Sequence, residues 1–130
     1  LDIVIILLGT NDLKKRFSVS AQDIAFGAGV LLDIVNKSGS GRNLKAPKVL
    51  LLVPPPLEKL TDLNEMFEGG REKSQRFSEH FKIVAQMYAC ELFETSTVIK
   101  SSDIDGIHLE KETHQQLGEA VAKIVKTLLK

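Results

Sequence analysis

The chain has 130 residues, 43% hydrophobic and 26% charged, which suits one soluble globular domain with a buried core and leaves no room for a second. Its 17 basic and 17 acidic residues cancel, removing the broad positive field expected of a nucleic-acid or anionic-membrane partner and leaving no net charge to oppose self-association. One cysteine, Cys90, excludes an internal disulfide and a cysteine-based zinc site; no apolar run nears the roughly 18 residues of a membrane span, and no signal-like start is present, so a cytoplasmic protein with no membrane partner is expected.

The chain opens at Leu1 rather than at a methionine and enters a strand almost at once, which reads as a truncated or cut product. Ile3 to Leu8 is apolar without alternation, the pattern of a parallel strand buried on both faces. It runs into Gly9-Thr10-Asn11-Asp12, a strand tip with a glycine and an amide side chain. Ser20-Ala21-Gln22-Asp23 resembles a capping box with aspartate in the glutamate place. Behind it, Ile24, Ala28, Leu31 and Val35 mark a helical stripe that Leu32 widens. Gly27 and Gly29 weaken that helix by about 1 kcal/mol each relative to alanine, so close packing on the sheet is their expected reason.

Ser38 to Asn43 is a surface loop. Its Gly-Ser-Gly lacks the preceding strand that an elbow nucleophile needs. Lys48 to Val53 is a second buried strand, stopped by Pro54-Pro55-Pro56. Leu57 to Gly70 reads either as a lid or binding loop or as an irregular turn whose Leu57, Leu60, Leu63 and Phe67 patch the core. Arg71 to Tyr88 is a helix with Phe77, Phe81, Val84 and Tyr88 on one face. His80 adjoins that face as a surface or boundary residue. Cys90 falls between helix and strand and is expected to be buried and inert. Leu92-Phe93 belong to a short third strand, and Lys111 to Leu129 form a closing helix with Leu117, Val121, Ile124, Val125 and Leu128 inward. The order β-α-β-α-β-α calls for a parallel sheet with right-handed crossovers. Ligands bind such sheets beyond the carboxyl ends of the strands. Gly9 to Asn11, Pro54 to Pro56 and Asp105 to His108 all follow carboxyl ends and should share one rim.

Acyl transfer needs a nucleophile, a base, an orienter for the base and donors for the oxyanion. Asn11 is a candidate donor, and Gly9 would let a substrate oxygen approach the backbone. His108 is a candidate base, with Asp105 near enough to fix its tautomer. Asp12 is expected to cap or to make a turn hydrogen bond, and His114 to be solvent-exposed. His80, His108 and His114 lack metal-ligand spacing, and no cofactor is implied. Taken alone, each string also reads as a simple turn.

Together, Gly9-Thr10-Asn11-Asp12 and Asp105-Gly106-Ile107-His108-Leu109 resemble the Gly-x-Asn-Asp and Asp-x-x-His blocks of the SGNH hydrolases, the GDSL-type esterases. Leu13-Lys14, Arg16-Phe17, Ala21 to Ala25 and Val53 to Pro56 extend the likeness toward the arylesterase-like branch. The resemblance implies a flavodoxin-like three-layer α/β/α parallel sheet. Residues 1–130 would be the C-terminal portion of a single domain, with its third to fifth strands and their helices. It implies a serine esterase that cleaves small carboxylic esters through an acyl-enzyme. Asn11 would sit in the oxyanion hole, His108 would be the general base, Asp105 its orienter, and Gly9, Thr10 and Pro54 would lie at the substrate.

That family's serine sits in a Gly-Asp-Ser block ahead of the asparagine block, and residues 1–130 hold no such block. The isolated chain is therefore expected to lack its nucleophile and its activity, and to expose Ile3 to Leu8 as an edge through which it aggregates or pairs with a second copy. The alternative is a non-catalytic α/β binding module or pseudo-enzyme on the same fold.

Overall fold

The computed structural model describes residues 1–130. Three parallel strands, β1 (Ile3–Ile6), β2 (Lys48–Val53) and β3 (Glu91–Glu94), lie in the order β1-β2-β3. The register pairs Ile3 with Lys48 and Ile6 with Leu51, then Leu50 with Glu91 and Val53 with Glu94. The helices are α1 (Ala21–Lys37), α2 (Gly70–Ser74), α3 (Phe77–Met87) and α4 (Lys111–Leu128).

The solid apolar run of β2 is explained by its central place. Val49, Leu51 and Val53 enter a cluster with α1 and α3, including Ile24, Leu32, Phe81 and Val84. Leu50 and Leu52 point the other way, toward Ile99 and Leu117 of α4. With helices on both faces, Val49 to Val53 find apolar cover whichever way they point. The two faces are unequal. The α1/α3 side buries 17 residues in one cluster, whereas the α4 side buries four. Along α4, Val121, Ile124, Val125 and Leu128 are only half-buried against that smaller cluster.

Ser20 makes the expected capping box: its Oγ accepts from the Asp23 N–H at 3.0 Å, and its N–H donates to the Asp23 carboxylate at 3.2 Å. Gly29 of α1 packs closely, but on Val84 and Tyr88 at the α3 end rather than on the sheet, and Gly27 faces open space. Leu57 and Phe67 are buried and Leu60 and Leu63 pack beside them, so the 57–70 segment patches the core.

The first strand is shorter than Ile3 to Leu8. Its ladder ends at the Ile6–Leu51 pair, where the chain departs toward Gly9. Nor is it buried on both faces: β2 is its only neighbour, and Ile5 and Leu8 are 44% and 57% exposed. The helix expected over Arg71 to Tyr88 is broken at Gln75 and Arg76. Ser74 Oγ donates back to the Arg71 carbonyl and accepts the Leu57 N–H, and Arg76 bonds only three residues back, to Lys73. A serine that bonds its own preceding turn bends a helix in this way.

His80 is a further correction. It is 8% exposed, and its Nε2 has no hydrogen-bond partner. The buried face of α3 takes in Phe77, His80, Phe81, Val84 and Ala85, a wider stripe than the aromatic spacing alone suggests. Cys90 is half-buried against the larger cluster, and burial pushes its thiol pKa up, away from reactivity.

Candidate active site

Beyond Ile6 the chain reaches Gly9 at φ +130°, a conformation L side chains rarely adopt. A Cβ there would also lie 3.0 Å from Ile24 Cγ2 and 3.5 Å from Pro54 and Phe81. Glycine is therefore demanded by backbone and packing alone, independent of any substrate approach. Thr10 to Leu13 form one 3₁₀ turn, closed by the Asp12 N–H on the Gly9 carbonyl at 3.1 Å. Leu13 plugs the turn into the core, and the Lys15 N–H bonds the Met66 carbonyl at 2.8 Å.

Thr10 is half-buried, whereas Asn11 and Asp12 are exposed. Asp12 makes neither the cap nor the turn side-chain bond expected of it. Pro54, expected at the substrate, is fully buried behind Gly9 and shapes the turn from within. A cavity of about 330 Å³ opens between the β1 tip and α1, walled by Leu8, Gly9, Val19, Ile24 and Leu31. It lies beside Gly9 and includes neither Asn11 nor His108.

The Asp105–His108 loop is organised by one carboxylate. Asp105 Oδ1 accepts the backbone N–H groups of Ile107 at 2.7 Å and His108 at 2.9 Å. Oδ2 lies 2.6 Å from His108 Nδ1. The His108 ring bond, followed by the His108 N–H, holds the Asp105 carboxyl at a pKa of about 2. A carboxylate that stays ionised keeps the proton on Nδ1 and leaves the Nε2 lone pair free to act as a base. The His108 side chain is 71% exposed, while Asp105 is half-buried beneath it. Gly106 stands at φ +81°, and a Cβ there would sit 2.6 Å from the Lys59 carbonyl oxygen, so both backbone and packing demand glycine.

The loop is tied to the segment leaving β2. The Glu58 N–H donates to the Gly106 carbonyl at 2.9 Å, Thr61 Oγ1 to the Ile104 carbonyl at 2.9 Å, and Ser101 Oγ to the Pro56 carbonyl at 3.0 Å. Ile107 shares the large buried cluster with Leu13 and Leu57. The asparagine turn, the proline exit and the histidine loop thus all meet the rim where the strands end. Asp105 bonds His108, and Pro54 lies beside Gly9; no hydrogen bond joins Asn11 to His108. His114 is exposed on α4.

Ser74, Ser101 and Ser102, which no motif singles out, are three buried serines that brace this rim. The signal was present in Ser101-Ser102-Asp103, because such residues favour turns by bonding nearby backbone. No three histidine, cysteine, aspartate or glutamate side chains gather closely enough to hold a metal ion. No helix is long and apolar enough to cross a membrane.

No protein-family model and no curated protein matches the chain. Solved structures do. An aryl esterase of M. smegmatis is 38% identical with a TM-score of 0.93, over 99% of this chain and 62% of that one. A carbohydrate acetylesterase from Sinorhizobium meliloti is 43% identical with a TM-score of 0.93, over 98% of this chain and 61% of its own. A member of the lipolytic G-D-S-L family from Veillonella parvula shares the fold at 9% identity, with a TM-score of 0.65 over 94% of this chain and 62% of that one. The chain spans 61–62% of the length of these structures.

Proposed function

We propose that this chain, whose fold is that of the SGNH/GDSL arylesterases, supplies the base and an oxyanion donor of a serine esterase acting on small carboxylic esters. The observation that carries this reading is the Asp105–His108 pair, with the carboxylate on Nδ1 and Nε2 free on an exposed ring. The esterase identity of the similar structures supports it.

In this reading a serine Oγ attacks the ester carbonyl while His108 Nε2 takes its proton. The Asn11 amide donates to the oxyanion, and the turn at Gly9 and Thr10 borders the acyl carbon. Collapse of the tetrahedral adduct breaks the ester C–O bond, and His108 returns the proton to the departing alcohol. Water then repeats the cycle on the acyl-serine. No serine or cysteine hydrogen-bonds His108 within residues 1–130, so the reading assigns the nucleophile to a segment outside them, brought to the open edge of β1. Alone, residues 1–130 would be inactive.

The exposed Ile5 and Leu8 on that edge support self-association of residues 1–130 through β1. Sedimentation should show concentration-dependent dimers or larger species; a monomer at every concentration would refute the pairing. The catalytic reading is tested on the full-length protein with p-nitrophenyl acetate. It predicts turnover with a burst of nitrophenol when deacylation is slow, and Asn11→Ala should cost on the order of 100- to 1000-fold in kcat. A full-length protein without ester turnover would reduce the chain to a binding module.

A further inference from the structure

We propose that Ser102 is a positioning residue for His108, latched to the start of α4 by Glu110. The inference rests on the reading of His108 as the general base. Ser102 is 3% exposed, yet every polar group it owns is engaged within its own loop. Its N–H donates to the His108 carbonyl at 2.7 Å, and its carbonyl accepts the Gly106 N–H at 2.9 Å. Its Oγ accepts the Ile104 N–H at 2.9 Å and donates to Glu110 Oε1.

These bonds close residues 102–108 into a ring of chain with Asp105 and His108 on it. Apolar packing alone would not fix that ring, since Ile107 is buried while Ile104 is exposed. The Oγ bonds act on both flanks of the pair. One holds Ile104, the residue before Asp105; the other holds Glu110, two residues beyond His108. Glu110 occupies the N-cap position of α4 without capping it, since its carboxylate turns to Ser102 instead. The start of helix α4 is thereby tied to the histidine loop. Loss of the hydroxyl leaves both backbone bonds of Ser102 in place, so the loop keeps its path while Asp105 gains freedom to drift off Nδ1.

The readout is the tautomer of His108, followed by ¹⁵N NMR of the full-length protein at alkaline pH. The parent chain should show a single Nδ1–H tautomer. Ser102→Ala and Glu110→Ala should each admit the Nε2–H form, and Ser102→Thr, which keeps a hydroxyl, should restore the parent spectrum. Glu110 is exposed, so its variant carries the test if Ser102→Ala fails to fold. In the full-length esterase, Ser102→Ala should lower kcat by about 10- to 100-fold with KM nearly constant, the signature of a displaced base.

Parent-like tautomers in both alanine variants would overturn the inference, even if His108→Ala abolishes turnover. An altered tautomer beside undiminished turnover in His108→Ala would leave the latch standing and remove the base reading beneath it.

Discussion

The two segments that carry the candidate chemistry are held in opposite ways. The 101–110 loop is braced through Asp105, Ser101, Ser102 and the Glu58 and Thr61 bonds, and its histidine is fixed before any ligand arrives. The 9–13 turn rests on the Gly9 conformation, the buried Leu13 and a few backbone bonds, with no side-chain brace, and its Asn11 side-chain amide makes no bond within the chain. The difference suits the roles proposed. A base must hold one tautomer and one direction throughout the cycle, whereas an oxyanion donor must keep its hydrogens free until charge develops.

The comparison can be broken from either side. The largest effect is expected at the braced loop. Gly106→Ala combines a left-handed φ with a Cβ driven to 2.6 Å from the Lys59 carbonyl oxygen, and should cost about 3 kcal/mol in urea unfolding. Gly9→Ala should cost less, about 2 kcal/mol, because its nearest contact, at 3.0 Å, is the Ile24 Cγ2 methyl rather than a backbone oxygen at 2.6 Å. Equal costs at the two glycines would erase the contrast. Ser20→Ala, remote from the site, removes the α1 capping box and should cost about 1 kcal/mol.

Acid sharpens the same contrast. The folded pKa of Asp105, about 2, lies below its ordinary 3.8, so its bonds stabilise the fold above the ordinary value, and that stability is lost as pH falls from about 4 toward 2. Asp105→Asn should flatten this limb of the stability–pH curve.

What the sequence disclosed tracks how local the cause is. The Ser20 capping box and the unbroken apolar run of Lys48–Val53 announce themselves within a few residues, and both elements fall where the pattern puts them. The Asp105 to His108 contact is equally local, a three-residue return that the string itself suggests. The break between α2 and α3 needed a partner 17 residues away, the Leu57 N–H on Ser74. The burial of His80 depended on how wide a face α3 presents, which one aromatic stripe did not reveal. Pro54 was legible as a strand stop, but its burial behind Gly9 is a contact between separate strand ends.

The central claim is that His108 Nε2 accepts the nucleophile's proton. Its most direct test is p-nitrophenyl acetate hydrolysis by the full-length protein carrying His108→Ala, with folding verified by thermal melting. The account predicts that turnover is abolished while the melting transition stays cooperative. Undiminished turnover in that folded variant would contradict it.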